Sequence, residues 1–307
     1  MPGTIPPRRE SDRLADLLGP ARLTEVVDVG ANPLEDEPPY LALLRERACR
    51  VTGFEPQPAA LARLRSAASD LERYLPYAIG DGGTHTLHLC ASSGFSSLYE
   101  PDPAQLELLV DFPRLATVVD RLPLPTTRLD DVREIELLDH LKIDVQGAEL
   151  MIFRGGRETL ARATTIQVEV GFHRLYRAQP TFAEIDLELR EQGFVPQGFV
   201  STKTWPLAPV QWADADEGRA RQLVEADVLY VRDLTRLDLL DDEQLRHLAL
   251  VAHVVYDQRG VALHAIRELV RRRALDPSTE SRYRAPCPGV VQHVFTSCPA
   301  PVARVGP

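Results

Sequence analysis

Thr24 to Asn32 reads TEVVDVGAN, and the fold follows from this stretch. A β-branched run that ends in Gly, Ala and Asn reads as a buried parallel strand feeding a tight loop. Upstream, Ser11-Asp12 caps a short helix through Leu18, ended by Gly19-Pro20. Downstream, Tyr40–Ala48 is amphipathic, and CRVTGFEP (Cys49–Pro56) is a second strand closed by a carboxylate and a proline. A helix over Ala59–Leu71 and a third strand in RYLPYAIGD (Arg73–Asp81) follow. Strand and helix alternating at this spacing means βαβ units, hence a largely parallel sheet covered on both faces.

Residues 82–130 break that rhythm. Thr84–Ala91 alternates like an edge or hairpin strand, and Pro101–Pro125 reads as a loop excursion with one short strand near Ala116–Val119. The rhythm returns with HLKIDVQGAE (strand, then turn), a helix over Leu150–Ala161, the strand TTIQVEVGF and a helix over Phe182–Gln192 with Gly193 as its C-cap. FVPQGFVS and ADVLYVRD supply the last strands, the final one or two antiparallel. About seven strands in one doubly wound α/β sheet are expected.

Beyond Asp233, Leu245, Leu248, Ala252 and Val255 form one apolar stripe, and Ala262, Ala265, Ile266, Leu269 and Val270 form a second. Gly260 between them suggests an αα-hairpin that either packs on the domain or makes a homodimer. The expected organisation is a leading segment and helix (1–22), the α/β domain (23–233), a helical hairpin appendix (234–280) and a Pro-rich tail (281–307).

Lys+Arg 35 against Asp+Glu 45 leaves −10 at neutral pH, which argues against a nucleic-acid partner. Nearly all the basic residues are arginines; Lys142 and Lys203 are the only lysines. Cys49, Cys90, Cys287 and Cys298 are scattered without metal or redox spacing, which fits a thiol-reducing compartment. The polar, Pro-rich start does not read as a signal peptide, no run is long enough to span a membrane, and a cytoplasmic protein without membrane partners is expected. His85 and His88 point to opposite sides of their strand and cannot chelate one ion, so no metal is expected. His140, His247, His253 and His264 read as surface residues.

The small-residue turn after the first strand lets backbone amides approach a ligand where doubly wound sheets bind cofactors. Asp28 is placed to accept amide hydrogens of that loop. Glu55 ends the second strand, the place for a carboxylate that accepts ribose hydroxyls. The loop runs Gly30-Ala31-Asn32-Pro33-Leu34-Glu35-Asp36-Glu37, not G-x-G-x-x-G. Its three carboxylates would repel a pyrophosphate, so a nicotinamide dinucleotide fits poorly. S-adenosylmethionine (SAM), cationic and free of phosphate, fits better.

The ordered set DVGAN, GFEPQP, YAIGD, SSL, LKIDVQGAE, QVEV and QPTF resembles the FkbM-type methyltransferases, over about residues 24–200. The resemblance implies a class I, Rossmann-like SAM-dependent O-methyltransferase. It implies SAM at Asp28, Gly30, Asn32 and Glu55, with Ala78, Ile79 and Asp81 near the adenine and Ser96 or Ser97 beside the cofactor. The family's loop often continues GAN-x-G, whereas Pro33-Leu34 stand here.

Asp144, at a buried strand end, is a candidate to face the SAM methyl or hold the acceptor hydroxyl. Glu149, in the first turn of a helix, is also what the helix dipole would favour alone. His173, just past the fifth strand, is the candidate base because imidazole titrates near neutral pH. Glu169 would orient it or hold the acceptor. Phe95, Tyr99, Phe112, Phe172, Tyr176, Trp205 and Trp212 are candidates to stack on the acceptor. The function expected is methyl transfer from SAM, leaving S-adenosyl-L-homocysteine, to a hydroxyl of a small molecule, sugar or natural product. The alternative is a non-catalytic SAM- or nucleotide-binding module acting through a partner.

Overall fold

The computed structural model describes residues 10–32, 37–209 and 220–285. Residues 33–36, Trp212, Cys287, Cys298 and the tail beyond 285 lie outside the described residues. The strands are β1 (Thr24–Val29), β2 (Cys49–Phe54), β3 (Glu72–Leu75), β4 (Ala78–Gly80), β5 (Thr84–Cys90), β6 (Val118–Arg128), β7 (His140–Ile143), β8 (Thr165–Gly171), β9 (Phe194–Pro206) and β10 (Arg221–Arg232). Seven of them form one sheet in the order β3-β2-β1-β7-β8-β10-β9. Only β10 runs against its neighbours β8 and β9, which gives the expected α/β doubly wound, class I methyltransferase arrangement.

Odd and even residues of the central strands serve opposite faces. On one face Val27, Val29, Leu141, Ile143, Ile166 and Val168 pack with Ile152 and Phe153 of the helix Glu149–Arg154 and with Ile185 and Leu189 of the helix Phe182–Glu191. On the other, Leu229 and Val231 pack under the helices Asp242–Val254 and Arg259–Arg271, and Val251 reaches Val26 and Val51. The helical pair is therefore a covering layer of the sheet, not an appendix standing apart. Its two apolar stripes meet the sheet and each other, since Leu245, Leu248, Ala265 and Ile266 are fully buried.

Local chemistry moved several boundaries. Pro76 splits the expected third strand, and its second half, β4, leaves the main sheet to join β6 and β5 in a small one. The excursion expected at Pro101–Pro125 contains two short helices and the eleven-residue β6. Pro123 and Pro125 are tolerated there because the Thr126 amide points to the β5 side, so the odd positions face the edge that β4 does not reach. The expected helix Leu150–Ala161 is two, Glu149–Arg154 and Arg157–Leu160. A side chain at Gly156 would overlap Leu129, so the Gly155-Gly156 break seats the chain closely. Gly260 lies inside the last long helix, and the turn is made instead at Asp257 with φ +49°.

Two histidines expected at the surface are fully buried. His140 bonds Thr165 Oγ1 at 2.9 Å and Tyr256 OH at 3.1 Å, and His247 bonds Thr24 Oγ1 at 3.0 Å. Their partners come from elements distant in sequence, so local periodicity could not place them. Among the described residues no helix is long and apolar enough to cross a membrane.

Candidate active site

A cleft of about 1460 Å³ opens along the carboxyl ends of β1, β2, β7 and β8 and is walled by the β9–β10 hairpin. The parallel register carries a polar row across its floor: Asp28 pairs with Lys142, and Lys142 with Gln167. The next row up the same face holds Asp144, Glu169, Asp227 and Ser201, with Glu225 and Lys203 above them. Strand pleat alone puts these groups on one side.

At the end of β1, Gly30 has φ +82°, and a Cβ there would overlap the Asp144 carbonyl. Only glycine fits. The amides of Gly30 and Ala31 both donate to the Phe54 carbonyl, at 3.2 and 3.1 Å, so they are held by β2 and not aimed at a ligand. Asp28 does not order the loop through those amides, as expected from sequence. Its Oδ2 accepts from Tyr40 OH at 2.6 Å, and its Oδ1 lies 3.4 Å from Lys142 Nζ without a hydrogen bond. Asn32 Oδ1 is likewise buried and unbonded. Glu55 is buried, with Oε1 accepting from the Gln57 amide at 2.7 Å. Burial raises its carboxyl above the usual range, partly offset by that amide. Ala78 and Ile79 line the cleft.

Other expected residues point elsewhere. Asp81 does not line the cleft; its Oδ1 accepts from the Gly83 amide and meets His85 Nε2 at 2.7 Å, a contact that holds its carboxyl low. Ser97 lines the wall, but its hydroxyl donates to the Gln146 carbonyl at 2.6 Å and so ties the 93–97 loop to the loop after β7. His173 is also absent from the lining; its Nε2 faces the Gln105 carbonyl at 3.3 Å. His173 lies two residues past Gly171, where β8 ends. Glu149 is a structural anchor: its Oε1 accepts from the amides of Val145 and Gly147, and burial pushes it up to about 7.

At the β7 and β8 side of the cleft, Gln146 is a residue the sequence did not single out. Gln146 sits at φ +57°, and its Nε2 donates both to Asp144 Oδ1 at 2.8 Å and to Glu169 Oε2 at 2.7 Å. Tyr176 OH, also bonded to the Phe95 carbonyl, lies 3.3 Å from Gln146 Oε1. Lys203 Nζ is in contact with Glu169 Oε1. Burial alone would raise Asp144, but the Lys142 and Lys203 charges and the Gln146 bond outweigh it and hold its carboxyl low. Burial and the Asp144 and Glu225 charges push Glu169 well up, against the pull of Lys203. Phe95, Phe112 and Trp205 form an aromatic wall with ring centroids 4.9 Å apart, whereas Phe172 stacks on Phe182. Among the described residues no three His, Cys, Asp or Glu side chains gather as a metal site.

The polar atoms left open suit SAM: Asp28 Oδ1 and Asn32 Oδ1 are buried without a donor and Glu55 spends only Oε1 on the Gln57 amide, while an ammonium and ribose hydroxyls are donors.

The Methyltransferase FkbM domain model matches residues 28–196. The chain is also similar to the 2-O-methyltransferase NoeI of Sinorhizobium fredii (strain NBRC 101917 / NGR234), 30% identical over 171 residues, which are 53% of this chain and 70% of that protein. Among solved structures it is distantly similar to magnesium protoporphyrin IX methyltransferase from Synechocystis PCC 6803 with bound SAM (11% identity, TM-score 0.34, 72% of this chain and 77% of that one). A putative SAM-dependent methyltransferase from Listeria monocytogenes is comparable (10% identity, TM-score 0.35, 72% and 97%). With its motifs carried on a class I sheet and more than half its length matched, the chain belongs to the FkbM methyltransferase family.

Proposed function

We propose that this methyltransferase moves the methyl group of SAM to a hydroxyl oxygen of a small molecule, sugar or natural product. SAM is the family's methyl donor. Bound in the cleft, it would supply an electrophilic methyl carbon on a sulfonium whose sulfur can take back the C–S electron pair. Glu55 would receive ribose hydroxyls, Asp28 and Asn32 would hold the methionine end beside the close turn at Gly30, and Ala78 and Ile79 would flank the adenine. The observation that carries the hydroxyl reading is the Asp144–Gln146–Glu169 bridge at the ends of β7 and β8. Asp144, kept ionised by Lys142, accepts the acceptor's hydrogen bond. Glu169, the more basic of the two, takes the proton as the C–O bond forms. The NoeI likeness supports oxygen as the methylated atom.

The test is S-adenosylhomocysteine release with a panel of hydroxylated acceptors. Glu169→Gln should lower turnover by about 10²–10⁴-fold, the range for losing a general base. SAM affinity should stay within a few-fold. Undiminished turnover removes Glu169 from the role.

A further inference from the structure

The chain has 35 basic residues and only two lysines, Lys142 and Lys203, and both line the same cleft. Lys142 lies within the family match and Lys203 outside it, on the β9–β10 hairpin. We propose that Lys203 is a positioning residue for methyl transfer, aiming the Glu169 carboxylate into the cleft and favouring its ionised form against its burial until an acceptor hydroxyl arrives. This rests on the reading of Glu169 as the proton acceptor.

The geometry is specific. Glu169 uses Oε1 for the Lys203 ammonium and Oε2 for the Gln146 amide, so both oxygens are fixed by donors from different elements. The other charged or titratable groups facing it are Lys142 and Asp144 from β7, Glu225 and Asp227 from β10, and Tyr176 behind Gln146. Asp144, Glu225 and Asp227 disfavour a further negative charge; of the two ammoniums, only Lys203 touches Glu169. Lysine suits this position because its compact ammonium, on a flexible stem, can yield one contact when the acceptor proton transfers to Oε1. That proton leaves later to water, and the carboxylate returns to Lys203.

Two lysines allow a direct test on the full chain without any acceptor. Protein labelled with ¹³C,¹⁵N-lysine should give two side-chain signals, and Lys203→Arg deletes one and thereby assigns both. The Lys203 signal should show a titration step between about pH 4 and 9, reporting the carboxylate beside it. Glu169→Gln should abolish that step, while a dispersed Lys142 signal shows that the fold is kept. A Lys203 signal that shows no step, or the same step in Glu169→Gln, overturns the proposal. Turnover undiminished in Glu169→Gln with the step abolished overturns the base reading and leaves the pair standing. With an acceptor that turns over, Lys203→Met should move the acidic limb of the rate profile up by about one pH unit or more. Lys203→Arg should restore it.

Discussion

Glu55→Gln separates ligand binding from folding in one substitution. The carboxylate is buried on the strand edge and one oxygen already serves the Gln57 amide, which leaves the other for ribose. Losing charge-assisted bonds to it should cost about 1.5–3 kcal/mol of SAM affinity, or about 10- to 150-fold. Stability should respond the other way. Because the folded carboxyl is raised above its unfolded value, ionisation opposes folding, and the penalty grows as pH rises past the unfolded value. The neutral amide removes that penalty, so the ligand-free variant should melt at or above the wild-type temperature at pH 7–8. At SAM a hundredfold above the wild-type Kd, stabilisation is about 2.7 kcal/mol, and a 30-fold weaker Kd leaves about 0.9 kcal/mol. Calorimetry gives the affinity and thermal melting gives both stabilities. An unchanged SAM affinity in a folded variant refutes the assignment of Glu55 to ribose.

Gly30→Ala should lose about 3 kcal/mol or more, or fail to fold, because its side chain would overlap the Asp144 carbonyl at a left-handed φ; urea melts test this. His140 is buried and held down at about 4, so the folded state resists a proton that the unfolded chain accepts near 6.5. Its contribution is full above 6.5 and falls away towards pH 4, by about 3 kcal/mol at most, which should appear as a urea midpoint in wild type that drops more steeply with acid than in His140→Gln. His173→Gln should keep most of the methyl-transfer rate and its acidic limb, since the imidazole faces the Gln105 carbonyl. We propose that residues 234–271 fold only with the sheet: a chain ending at Arg232 would expose Leu229 and Val231 and should aggregate or melt below the full chain, as light scattering and melting would report.

The sheet was legible because buried parallel strands and their strand-end loops are written in contiguous residues: DVGAN, GFEP and KIDV each sit where expected. The small sheet was not, because it depends on which edge of β6 its prolines face, and that is decided by a partner strand some forty residues away. The cleft divides similarly. Asp28, Asn32, Glu55, Asp144 and Glu169 come together because each lies at or just past the carboxyl end of a strand of the main sheet, and Ala78 and Ile79 of β4 reach the same cleft just beyond β3. His173 and Asp81, chosen for loop position and for the family pattern, meet other partners: His173 faces the distant Gln105 carbonyl and Asp81 the nearby His85. Gln146 carried a signal in LKIDVQGAE, but its reach to two carboxylates needs the left-handed backbone that only the fold displays. Lys203 was visible as one of two lysines; its contact with Glu169 depends on the β9 register across β10.

Methylation of oxygen in this cleft, with Glu169 receiving the proton, is tested most directly by following the methyl group. Supplying SAM labelled with ¹³C in its methyl group to the enzyme and an acceptor panel, then reading the product by ¹³C resonance, shows which atom carries the new methyl. A methyl on oxygen is expected, formed by wild type and about 10²–10⁴-fold more slowly by Glu169→Gln. A methyl on nitrogen or carbon, or equal rates for the two proteins, contradicts it.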